Sequence, residues 1–140
     1  MKNNLLFTLL ISAILVLSCS KDQKVVRQLE GDWKVTDYTI NGVAQDKSAW
    51  DGQVYSFNKC KVKKEWCTGT VSVPDSTKGT ITMEFKYKIR EKGKKFDLQV
   101  NFLGIVSETQ TSDIKEHSKS KFVYAYKDNG SEHEITMTKK

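Results

Sequence analysis

Apolar and polar residues alternate through most of the chain beyond residue 30. From Thr80 to Arg90, Ile81, Met83, Phe85, Tyr87 and Ile89 share one face, while Thr80, Thr82, Glu84, Lys86, Lys88 and Arg90 share the other. That period of two marks a strand with one buried and one wet side. Phe96, Leu98, Val100 and Phe102 repeat it after the turn Glu91-Lys92-Gly93-Lys94. Phe122, Tyr124 and Tyr126 do so again before Asp128-Asn129-Gly130 leads into Ile135 and Met137. Trp33 to Ile40 predicts an earlier strand ending at Asn41-Gly42, a dipeptide suited to a two-residue hairpin. Val54 to Val62 and Trp66 to Val73 predict another hairpin, turning at Lys63-Lys64. Ser107 to Ser120 is polar, with a weak strand or helical turn around Asp113 to Glu116. Ser20 to Gln28 is polar apart from Val25 and Val26 and predicts a tether entering a turn of helix near Leu29. Seven or eight such strands with short links form an all-β, antiparallel up-and-down meander. Closing it into a small barrel of about eight strands removes its exposed edges.

The first residues follow a different pattern. Met1-Lys2-Asn3-Asn4 is followed by a mostly apolar run from Leu5 to Leu17, then Ser18-Cys19. A basic start, an apolar core of about 7–15 residues and a small residue before the cut describe a secretory signal. A spanning helix needs about 20 apolar residues, more than this run supplies. Val16-Leu17-Ser18-Cys19 resembles the bacterial lipobox. The resemblance implies cleavage before Cys19, a diacylglycerol thioether on its sulfur and an acyl chain such as palmitate on the new amine. Two or more acyl chains give lasting attachment where one does not. Ser20 is not the Asp that, in that family, retains lipoproteins at the inner membrane, so the resemblance implies the outer membrane. Ser20-Lys21-Asp22 is also similar to a short charged tag that takes some Bacteroidetes lipoproteins to the cell surface, and the leaflet is left open. The expected organisation is a lipoprotein signal peptide over 1–18, a lipidated N-terminus and tether over 19–28, and a barrel over 29–140.

Cleavage after residue 18 of 140 leaves 122 residues and removes Lys2, taking the net charge from +6 to +5. That length supports one domain burying roughly two-thirds of its unfolded surface. Pro74 is the single proline, and no internal repeat or low-complexity run points to a second domain. With Cys19 acylated, Cys60 and Cys67 remain, and export places them in an oxidising compartment. A hairpin turning at Lys63-Lys64 would set them directly opposite, which suits a cross-strand disulfide. A metal pair would want closer spacing and further Cys or His ligands, and neither histidine is near in sequence.

Leu29-Glu30-Gly31-Asp32-Trp33-Lys34-Val35 carries a Gly-x-Trp before the first strand. It comes with a helical lead-in, the Asn41-Gly42 hairpin, the Phe57…Cys60…Cys67-Thr68-Gly69 segment and a closing Glu134-Ile135-Thr136-Met137 strand. Together, over residues 25–140, these resemble the lipocalin-like domain lipoproteins frequent in Bacteroidetes. The resemblance implies that Gly31 and Trp33 form the family motif, with Trp33 packing across the closed end of a barrel with an apolar interior. Lipocalins usually cover that Trp with a late Arg. No Arg follows Arg90 here, which leaves Lys139 or another Lys for the position. Thr36-Asp37-Tyr38 mimics a second lipocalin motif but lies in the first strand, where the family does not place it. Fold alone transfers no ligand.

The inward set expected is Trp33, Val35, Phe57, Ile81, Met83, Phe85, Tyr87, Phe96, Leu98, Val100, Phe102, Phe122, Tyr124 and Tyr126. An eight-stranded barrel is either filled by side chains or holds one small ligand. If a cup exists at one mouth, the ligand-binding candidates are Phe85, Tyr87, Phe102, Tyr124 and Tyr126, with the phenols as polar handles. His117 follows Glu116, and His133 lies beside a Gly turn between Glu132 and Glu134, as on a solvated hairpin tip; no metal site, cofactor or catalytic constellation is expected. Export and the lack of any signature argue against nucleic acid as a partner. Lys86, Lys88 and Arg90 share one outer strand face and Lys59, Lys61 and Lys63 another; they are expected to keep exposed strands soluble, the alternative being attraction to phosphorylated lipid headgroups beside the anchor. Two functions stay open. One is a non-enzymatic, membrane-anchored barrel that binds a small apolar or amphipathic molecule at its mouth. The other is a solid interaction module whose loops, Ala44 to Asp51 with Trp50 or Ser107 to Ser120, meet a protein of the cell envelope.

Overall fold

The computed structural model describes residues 21–63 and 65–140. The expected signal peptide and the expected acylation site at Cys19 lie outside the described residues. Residues 21–29 are helical and are called α1. Eight principal strands follow: β1 (Gly31–Ile40), β3 (Val54–Phe57), β4 (Cys67–Asp75), β5 (Gly79–Arg90), β6 (Lys95–Phe102), β8 (Gln110–His117), β9 (Lys121–Asp128) and β10 (Ser131–Lys139). Two-residue stubs, β2 (Val43–Ala44) and β7 (Ile105–Val106), fold back on β1 and β6. Each principal strand pairs antiparallel with the next, and β10 returns to β1 from Trp33↔Lys139 to Ile40↔His133. The meander is therefore a closed eight-stranded barrel, and the polar 107–120 stretch supplies its β8 strand.

The two ends differ. Along β5, Phe85, Tyr87 and Ile89 are buried while Ile81 and Met83 are only partly covered. Along β6, Phe96 and Leu98 are buried, Val100 less so, and Phe102 stands 43% exposed. The barrel is thus filled at the end where α1 lies and opens toward the other. Val25, Val26 and Leu29 of α1 are buried with Trp33, Phe57, Tyr87, Phe96 and Phe122, so the segment assigned to a tether plugs the closed end. Aromatic rings fill this half edge to face: Phe57 meets Tyr87 at 5.1 Å and 89°, and Phe96 meets Phe122 at 5.5 Å and 90°, the arrangement ring quadrupoles favour.

Trp33 is fully buried across this end, and its indole N–H donates to the Leu29 carbonyl at 2.6 Å. Lys139 covers the ring, with Nζ 5.5 Å from its centroid. It fills the place where the resemblance leads one to look for Arg.

The Cys60–Cys67 disulfide is present, with Cα atoms 5.7 Å apart. The hairpin expected around it is not. β3 ends at Phe57, and the Phe57↔Gly69 register, if continued, would set Cys67 opposite Lys59 rather than Cys60. The reason lies in α1. Gln23 donates to the Cys60 carbonyl and accepts from the Val62 N–H at 2.9 Å, drawing the loop across the closed end with Val62 against the core. The disulfide staples a plugging loop, not a ladder.

Candidate site at the barrel mouth

A single irregularity in β1 shapes the open end. Val35 faces Met137, but Asp37 faces Thr136, so Thr36 is an extra residue in the ladder. Such a bulge shifts the alternation by one. Tyr38 and Ile40 therefore face inward opposite Ile135 and His133, where an unbroken alternation from Trp33 would have sent Asp37. Tyr55 of β3, Tyr124 and Tyr126 of β9 and His133 of β10 converge with Tyr38.

The chain between β2 and β3 lies over this group. Asp46 accepts from the Ser48 N–H at 2.8 Å and starts a single 3₁₀ turn, Lys47–Ala49. The turn ends on Trp50, which is buried and donates from its indole N–H toward the Gln45 carbonyl. A cavity of about 230 Å³ lies there, lined by Tyr38, Trp50, Gln53, Tyr55, Tyr126 and Ile135 among others.

Three phenols of this mouth are held above their ordinary range. Burial, and then the neighbouring Tyr126 phenol, raises the Tyr38 phenol above its ordinary value. Burial raises Tyr55, with the Tyr124 hydroxyl pulling part of that back. Tyr124 is raised well above the ordinary phenol range by burial and by the Tyr55, Tyr126 and Tyr38 phenols around it. The Tyr38 hydroxyl lies 2.6 Å from His133 Nδ1 and donates to it when the imidazole proton is on Nε2. The His133 ring stacks on Tyr126 at 4.9 Å and 10°. His133 is thus built into the mouth and is not the solvated hairpin-tip residue expected from its charged neighbours. His117 lies at the closed end, its Nδ1 2.8 Å from the Gln28 amide oxygen.

The five ligand-binding candidates from the sequence fall in different places. Tyr126 lines the cavity and Tyr124 is buried among the mouth phenols. Phe85 packs in mid-barrel against Phe57, and Tyr87 is sealed in the closed end. Phe102 stands half exposed at the far end of β6. Alternation could not find Tyr38 because of the bulge, and Trp50 sits in a loop with no period. The usable signal was compositional: four of the five tyrosines, Tyr38, Tyr55, Tyr124 and Tyr126, gather here.

The sequence matches no protein-family profile and no curated protein. Among solved structures, the chain is similar to a lipocalin-like protein from Bacteroides uniformis, at 14% identity and a TM-score of 0.57, covering 81% of this chain and 99% of that one. A point mutant of the fluorescent protein UnaG aligns at 15% identity and a TM-score of 0.41, over 82% of this chain and 98% of that one. The fold is lipocalin-like.

Proposed function

We propose that the mature chain, anchored in the outer membrane by acyl chains on Cys19, binds a compact amphipathic molecule at the barrel mouth and carries out no reaction on it. The observation that carries this reading is the cavity under Trp50, with aromatic faces on its walls and neutral phenols and one imidazole at its margin. Apolar lining with a few convergent polar groups is the general character of small-molecule sites. At about 230 Å³ the space is near the lower limit of such sites, ~300–1,000 Å³, which favours a ligand of one or two rings over a long acyl chain. A planar body would stack against Trp50 and Tyr126 while a polar end reaches Tyr38 and His133. Neutral phenols suit a neutral or weakly charged polar end.

Native mass spectrometry of the full chain released from its host's membranes with mild detergent tests this. A co-purifying small molecule that is lost from the Trp50→Ala variant is expected. A chain that repeatedly carries no adduct, and whose tryptophan emission is unchanged by host envelope extracts, would overturn it.

A further inference from the structure

Three two-residue hairpins of this barrel place both turn residues at positive φ: Asn41-Gly42 (50° and 77°), Leu103-Gly104 (53° and 85°) and Asn129-Gly130 (48° and 82°). Asn tolerates that conformation and is the usual choice; a branched apolar side chain is not. Leu103 nevertheless occupies it, 86% exposed, with Ile105 at 75% and Val106 at 56% beside it. A turn residue that is both conformationally unfavourable and apolar in water indicates a contact made by the tip.

The position of the tip identifies that contact. The N-terminus of α1 lies against the β5–β6 turn, where Asp22 accepts from the Gly93 N–H at 2.6 Å. Cys19 is only three residues before Asp22. β6 then runs from that end to the tip, roughly 25 Å at ~3.3 Å per residue over Lys95–Phe102. Asp22, three residues after Cys19, and the apolar tip are thus at opposite ends of one strand. Between them the outer face carries Lys86, Lys88, Arg90, Lys92, Lys94 and Lys95, against the acids Glu84, Glu91, Asp97 and Asp113. Lys21, Lys24 and Arg27 are exposed on α1 beside the anchor. Arg90 and Lys95 are engaged with Asp97 and Asp113, but the face keeps an excess of cations.

We propose that the barrel lies along the bilayer on its β5–β6 side, with the Leu103–Val106 tip inserted among the acyl chains and the lysines of the β5–β6 face over anionic headgroups. The proposal rests on the acyl anchor at Cys19 for one of its two contact points. An apolar tip at one end of a face that carries cations along its length suits an anionic interface, where each attraction reinforces the other.

The test uses the full chain purified from membranes with Leu103→Cys as its free thiol, Cys60 and Cys67 being paired. An environment-sensitive fluorophore is attached, and the protein is reconstituted into phosphatidylcholine vesicles with or without phosphatidylglycerol. Val43→Cys serves as control. That side chain is also apolar and 65% exposed, but it follows β1, across the barrel from β6. The expected result is a blue-shifted label at 103, quenched by nitroxides on the acyl chains, and an aqueous label at 43. Anionic lipid should strengthen the 103 signal, and Lys86→Glu with Lys88→Glu should remove that gain. Ile105→Cys repeats the reading at a second tip position. An aqueous 103 label on both vesicles overturns the proposal, as does a label shielded only in native envelope membranes, which would assign the tip to a protein partner. The mass of the purified chain reports acylation separately. An unacylated chain would refute the anchor, while the 103 label on the same vesicles would still decide the docking.

Discussion

Tyr87 provides a test of how the closed end is held. Its side chain is fully buried, with the ring against Phe57 at 5.1 Å, Phe85 at 6.0 Å and Phe96 at 6.2 Å. No group among the described residues bonds its hydroxyl. A water could satisfy it only where two or more polar partners converge, and the surrounding rings offer none. A buried hydroxyl without a partner costs about 1–3 kcal/mol, whereas the ring's packing survives in phenylalanine. Tyr87→Phe should therefore stabilise the domain by about 1–2 kcal/mol, raising Tm by about 5 °C in a chain of this size. Alkaline pH adds a second signature. Burial, with the Glu30 charge adding to it, holds the Tyr87 phenol well above its ordinary value. Below pH ~10 both states keep the proton; above it the unfolded chain ionises first, so stability falls as pH rises. The variant should lose part of that fall. Urea unfolding at pH 7 and pH 10.5 measures both effects, provided the m-value stays constant. Tyr124→Phe is the contrasting case: its hydroxyl neighbours Tyr55, and its loss should cost about 1 kcal/mol. A Tyr87→Phe midpoint below that of the parent would refute the reasoning, because it would mean that the hydroxyl has a partner after all.

Two further outcomes follow from groups elsewhere on the barrel. Burial alone would raise the Asp97 carboxyl, but the Arg90 guanidinium (Nη2 to Oδ1 2.9 Å) and the Thr111 hydroxyl (2.8 Å) outweigh it and hold the group below the ordinary range. That contribution is present above pH ~4 and is lost as pH falls through the folded value. Asp97→Asn should cost about 1.5–3 kcal/mol at pH 7 in urea unfolding, and the gap to the parent should narrow toward pH 3. Cys60→Ser with Cys67→Ser opens a loop closed over a separation of seven residues. It should lower stability by about 2–3 kcal/mol in the chain-entropy account, with a matching loss when the parent is reduced.

The all-β character and the strand count were legible because one-sided strands must alternate, and β5 and β6 do so without interruption, while β9 buries Val123 and Ala125 as well as its inward rings. The sequence reading runs one strand from Val54 to Val62, through the loop that carries Cys60. What ends β3 is a long-range contact, Gln23 reaching the backbone at Cys60 and Val62, and no local pattern encodes a partner 37 residues away. Gly69 is similar. Its reason is spatial, since a Cβ there would overlap the Phe85 ring and lie 2.5 Å from the Ser56 carbonyl oxygen. It lets a large ring cross the barrel where two strands come close.

The mouth was the least legible part, and the cause is one residue. Without the bulge at Thr36, Asp37 would point into the barrel and Tyr38 into water, and the carboxylate would face a ring of phenols. A buried charge there would be expensive without a partner, so the ladder irregularity and the aromatic character of the open end depend on each other. The same asymmetry runs through the molecule. Helix α1, the Cys60 loop, the disulfide and Trp33 close one end, while the bulge, Trp50 and the four tyrosines shape the other. A barrel sealed at one end by α1 cannot be entered from that side. A ligand of the proposed site would arrive at the mouth, between the Trp50 loop and the β9–β10 turn, and substitutions that alter its affinity should lie there and not among the rings of the closed end.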